Sequence, residues 1–124
     1  MEQSVDKIIQ YLIVRRDLEM SHGKMSAQVA HASLGSVYQE LNDPDVKVWL
    51  SGAFTKVVLQ AKNFHHLERL SLQLIKDGIV HKEIWDNCLT ELDPETPSGT
   101  LTCVGLKPYP KSVIAKYVKK YQLY

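Results

Sequence analysis

Several kinds of residue and pattern are scarce in this sequence, and each scarcity excludes a class of protein. Only two of its 124 residues are cysteine, Cys88 and Cys103, and they form no C-x-x-C pair. A secreted disulfide framework is thereby excluded, and the reducing cytosol is the expected compartment, so a cytoplasmic protein is predicted. Long apolar runs are missing too. Residues 8–14 come closest, but Gln10 interrupts them and they are too short to cross a bilayer, so no membrane partner is expected. The first ten residues include Glu2, Asp6 and Lys7 and hold no apolar stretch of signal-peptide length. Charge of one sign is not in excess: the formal net charge is +1, too small to advertise nucleic-acid binding through bulk charge. The five histidines (22, 31, 65, 66 and 81) show no metal-ligand spacing with cysteines or carboxylates, so no metal site is expected. No internal repeat, low-complexity segment or linker is visible, and residues 1–124 read as one domain with its core at about 8–124.

What is present is an ordinary globular mixture, 44% hydrophobic and 23% charged. A chain of this length buries roughly two-thirds of the surface its unfolded form exposes, so it needs no staple. Residues 7–15 predict a first strand, apolar enough to be buried on both faces. Ser21 is a candidate N-cap for a helix from residue 23 to about 41, with Ala27, Ala30, Leu34, Val37 and Leu41 as its buried face. A short helical turn is expected at 46–50 and a second strand at 55–60. Asn63 opens a helix carrying Leu67, Leu70, Leu74 and Ile75 inward, which Gly78 ends. A third strand is predicted at 79–85, a turn-rich loop at 93–99 and a fourth strand at 100–106. Pro108 and Pro110 lead into a last helix with Val113, Ile114, Tyr117, Val118 and Tyr121 on its core face. This alternation predicts an α/β fold: a single three-layer α/β/α domain with a four-stranded mixed, mostly parallel sheet.

The first helix is the place to look for chemistry. Lys24, Gln28, His31 and Gly35 fall on one stripe of an otherwise small and apolar helix. Lys24 lies in the first turn, where a cation opposes the helix macrodipole at a cost of ~0.3–1 kcal/mol when exposed. Such a stripe reads as a cleft wall with an anion-binding end, or more plainly as the solvated side of the helix. His31 reads either as a hydrogen-bonded core histidine or as a general base. The chain's end, from Lys107 to Tyr124, holds five lysines and no acid, which suits either an anionic partner or a solvated helix face.

The run Gly23-Lys24-Met25-Ser26-Ala27-Gln28-Val29-Ala30-His31-Ala32 resembles the G-K-x-A-A-Q-x-A-H-A signature of type 2 peptidyl-tRNA hydrolases. Further segments follow in the family's order. Trp49 and Gly52 before Lys56-Val57-Val58-Leu59 resemble its W…G…KVVL, and Asp86 with Thr90 its D-A-G-x-T-Q. Residues 97–102 resemble P-G-T-x-T, and residues 119–124 its L-K-L-Y-like terminus. Cys88, Leu89 and Glu91 depart from the D-A-G-x-T-Q pattern, in the manner of the divergent peptidyl-tRNA hydrolase domain-containing branch.

The resemblance implies hydrolysis of the ester between a peptide and tRNA by water attack, without a metal or other cofactor. It implies Lys24, Asp86 and Thr102 as catalytic residues: Lys24 for the oxyanion or a terminal phosphate, Asp86 to orient Lys24 or assist the water, Thr102 to position water or leaving group. Gln28, His31 and Thr90 would contact substrate, and Lys111, Lys116, Lys119 and Lys120 would meet phosphates of the peptidyl-tRNA. A homodimer is a further expectation. The departures leave an alternative open, a family member with weakened catalysis that binds tRNA or a protein.

Overall fold

The computed structural model describes residues 6–89 and 91–124. The apolar run near the start forms β1 (Ile8–Arg15), which is buried from Ile9 onward. Strand geometry sends alternate side chains to opposite faces, and both faces are covered. Ile9, Tyr11 and Ile13 pack with Leu67, Leu70 and Leu74 of α3 (Phe64–Lys76) and with Ile114 and Val118 of α4 (Lys111–Val118). Leu12 and Val14 pack instead with Met20 and with Ala32 of α1 (His22–Gly35). The helix α2 (Pro44–Ser51) adds Val46 and Trp49 on the side of α1, against Val37. The three layers expected of the sequence are therefore present.

The sheet departs from expectation in two ways. Among the described residues it has six strands rather than four: β2 (Lys56–Ala61), β3 (His81–Asp86), β4 (Thr100–Leu106) and the two-residue β5 (Tyr109–Pro110) and β6 (Gln122–Leu123) join β1. The main path is β3-β4-β1-β2-β6, with β5 beside β1. The mostly parallel pairing also fails, because among the described residues only β1 and β2 pair in parallel. Among the described residues no helix separates β3 from β4; they form an antiparallel pair, and β4 returns reversed between β3 and β1. β1, β2 and β3 nevertheless point the same way. Their C-terminal ends, the N-terminal end of β4 and the start of α1 share one edge of the sheet, where open α/β sheets place ligands.

The first helix is shorter than predicted and rotated about its axis. It closes at Ser36 instead of running to about Leu41. Of its expected inner face only Val37, just beyond the helix, is buried; Ala27 and Ala30 are exposed, Leu34 is 67% exposed and Leu41 52%. The cause is a close approach. A Cβ on Gly105 of β4 would lie 2.5 Å from the Ala32 carbonyl oxygen, so only glycine lets α1 rest on the strand there. That contact turns polar side chains inward, and each finds a partner. Gln28 donates to Thr102 Oγ1 at 2.8 Å, and Gln10 of β1 donates to Ser36 Oγ at 2.9 Å. Ser36 Oγ in turn lies 3.1 Å from the Leu106 carbonyl oxygen, which accepts from it. The apolar flank thus released outward joins Trp49, Leu50, Phe54 and Leu123 around an open groove of about 860 Å³.

Candidate active site at the start of the first helix

Ser21 caps α1 as its sequence position predicts: its hydroxyl accepts from the Lys24 N–H at 3.2 Å. One turn in, the Lys24 ammonium reaches across to β3 and donates to Asp86 Oδ1 at 2.6 Å. The pair is sheltered, with side chains 16% and 11% exposed, so the ions meet in a medium that screens them less than bulk water. The second carboxylate oxygen of Asp86 accepts the Cys88 N–H at 2.9 Å. Burial pushes the Asp86 carboxyl up, but the hydrogen bonds from Lys24 and Cys88 outweigh it and hold the group below its ordinary value of 3.8. Asp86 is thus a fixed anion at neutral pH, better suited to orienting a water or an ammonium than to holding a proton.

Gln28 and Thr102 are brought together beneath this pair. Thr102 is fully buried, accepts from Gln28, and donates its own proton to the Ile84 carbonyl at 3.2 Å. Both hydrogen-bonding directions of its hydroxyl are used within the fold. His31 is exposed on α1. Thr90 lies outside the described residues. Lys111 and Lys116 belong to α4, in the layer on the other face of the sheet, and Lys119 and Lys120 follow that helix. Lys107 is only 3% exposed and donates to Asp43 at 2.9 Å, so it adds nothing to the basic surface of the C-terminal segment.

Two residues at this edge were not singled out for a role by their sequence positions. Arg15, at the end of β1, is 2% exposed and bonds to Asp17, to Glu95 and to the Leu101 carbonyl, fixing the β3–β4 connection over the sheet. An arginine closing an apolar strand reads as a surface residue until its partner 80 positions away is known. Glu91 receives two hydrogen bonds from Ser21, one from the backbone N–H at 3.0 Å and one from the hydroxyl. In the sequence it stood only as a departure from a motif. Among the described residues no group of three His, Cys, Asp or Glu side chains is placed to hold a metal ion, and no helix is long and apolar enough to cross a membrane.

The family described as Peptidyl-tRNA hydrolase PTH2 matches residues 8–124. Among curated proteins, the peptidyl-tRNA hydrolase of Methanopyrus kandleri is 40% identical over 100 residues, covering 80% of this chain and 83% of the relative. That of Haloquadratum walsbyi is 38% identical over 99 residues, 80% of this chain and 84% of the relative. The human protein PTRHD1 is 31% identical over 124 aligned positions, 94% of this chain and 82% of the relative.

Proposed function

The chain belongs to the peptidyl-tRNA hydrolase PTH2 family, and from that membership and the geometry above we propose that it hydrolyses the ester joining a peptide to tRNA. The observation that carries this reading is the sheltered Lys24–Asp86 pair at the C-terminal strand edge. A water oxygen attacks the ester carbonyl carbon. The carbonyl oxygen takes up negative charge and is stabilised by the Lys24 ammonium. Asp86 orients the water, whose proton passes to the departing ribose oxygen as the carbon–oxygen bond breaks. Gln28 and Thr102 support this step by seating α1 on β4, so that Lys24 meets the substrate at a fixed height; Thr102 acts through that seam. His31 and Thr90 are proposed to bind the substrate, and Lys111, Lys116, Lys119 and Lys120 to meet the tRNA body, a ligand large enough to reach another layer of the domain.

We also propose that residues 1–124 form one domain, supported by a family match that runs over 8–124. A cytoplasmic location is supported by the substrate class and by two cysteines, Cys88 and Cys103, that stand unpaired. A homodimer is supported by the apolar groove beside α1, since exposed apolar surface of that kind marks an interface.

The test is release of free tRNA from an N-acetylated aminoacyl-tRNA. Wild type should turn over, and Lys24→Ala and Asp86→Asn should each lose at least ~10²-fold, as for removal of an oxyanion or acid–base contributor. Wild-type rates in both variants would remove the pair from the chemistry. A folded wild type without turnover would leave a module that binds tRNA or a protein.

A further inference from the structure

Helices that open on serine commonly carry a glutamate three positions on, which reaches back to the N-cap N–H and completes a capping box. In α1 the cap is Ser21 and the third helical position is Lys24, and the first turn contains no acid. Half of the box is intact, because the Ser21 hydroxyl accepts the Lys24 N–H. The other half is supplied from outside the helix: the Glu91 carboxylate, 70 positions along the chain, accepts the Ser21 N–H at 3.0 Å and the Ser21 hydroxyl proton as well. The helix end thus has a carboxylate where the box requires one, and the position that would have held it is left to a lysine.

We propose that Glu91 is a positioning residue that completes the capping box of α1 from the β3–β4 connection, and so holds Lys24 against Asp86 for the reaction. Three features of the structure converge on it. The hydrogen bonds run in a chain from the Lys24 N–H to the Ser21 hydroxyl and on to Glu91, and such chains strengthen when their last acceptor is charged. Asp86, the last residue of β3, and Glu91, in the connection that follows it, then fasten this stretch to α1 at two points, one on the Lys24 side chain and one on its cap. The anion also lies where the macrodipole favours it, at the helix start, offsetting the unfavourable placement of the Lys24 charge. A glutamine at this position, as in the family's D-A-G-x-T-Q, would retain a carbonyl oxygen able to accept the Ser21 N–H.

The kinetic arm of the test rests on the hydrolase reading, and the labelling arm does not. Glu91→Ala should lower kcat about tenfold, with KM moving much less, since a slightly misplaced Lys24 fails chiefly in the transition state. Glu91→Gln should restore kcat to within about threefold of wild type by keeping the acceptor. Independently, modification of the Lys24 amine by an acylating reagent, followed by peptide mass spectrometry, should quicken several-fold in Glu91→Ala and stay near the wild-type rate in Glu91→Gln. A merely structural role would lower the melting temperature of Glu91→Ala and leave kcat and Lys24 labelling unchanged in the folded protein. That result overturns the proposal, as does a Glu91→Gln protein indistinguishable from Glu91→Ala. If folded wild type shows no turnover, the hydrolase reading falls, and the labelling rates still decide whether Glu91 holds Lys24.

Discussion

Cys88 occupies a glycine position of the D-A-G-x-T-Q motif, and its backbone retains the conformation that glycine would favour, with φ at 60°. A side chain in the left-handed region costs roughly 1–2 kcal/mol, and this one is held there because its N–H is needed on Asp86. Its sulfur lies 3.4 Å from both the Asp86 carbonyl oxygen and Thr100 Oγ1, which makes it a packed group beside the site. Cys88→Gly should therefore stabilise the protein, by about 1 kcal/mol once the extra flexibility of the unfolded chain is set against the relieved strain. Urea unfolding measures this directly, and a loss of stability would show that the thiol contacts outweigh the strain. Turnover should be unchanged, because the backbone N–H that Asp86 needs is present in both proteins.

At the scale of the element, α1 shows where sequence patterning stops being informative. The order of the helices and the four longer strands was legible, since apolar periodicity, the caps at Ser21 and Asn63, and the stop at Gly78 are local signals. The inner faces were less so. Leu67, Leu70 and Leu74 are buried as their spacing implied, but Ile75 and Val113 are 59% and 44% exposed. For α1 the apolar stripe pointed the wrong way, because the helix is oriented by contact with Gly105, a residue some 70 positions away whose importance no periodicity reveals. The two-residue strands β5 and β6 carry no pattern at all. Lys24 and Asp86 were recognisable through family resemblance, whereas Glu91 caps a helix 70 positions away, a pairing that no local signal carries. Gly105→Ala tests the orienting contact. The new methyl meets backbone, which cannot swing aside, so overpacking should cost ~1–3 kcal/mol. Turnover should fall in protein that remains folded, as α1 lifts and the Gln28–Thr102 bond opens. Retained stability and turnover would mean that α1 has slack on β4.

The whole molecule shows the consequence of that orientation on its outside. Leu34, Leu50, Phe54 and Leu123 line one groove while being 41% or more exposed, an arrangement a lone soluble domain seldom keeps. If two copies cover it, sedimentation should give the mass of two chains, and Leu34→Glu should shift the protein to one chain without unfolding it. A wild type that sediments as a single chain at high concentration would exclude the dimer. The reversed β4 has a consequence of another kind, in time. During synthesis β1, α1, β2, α3 and β3 emerge in turn, yet β3 and β1 have no common neighbour until residues 100–106 follow and slot between them. Lys24 and Asp86 are 62 positions apart. Their meeting waits for that insertion, a late non-local pairing of the sort that slows folding. A growing chain thus carries both halves of its hydrolytic pair well before it can use them, and a copy released short of Thr100 lacks the strand that joins them.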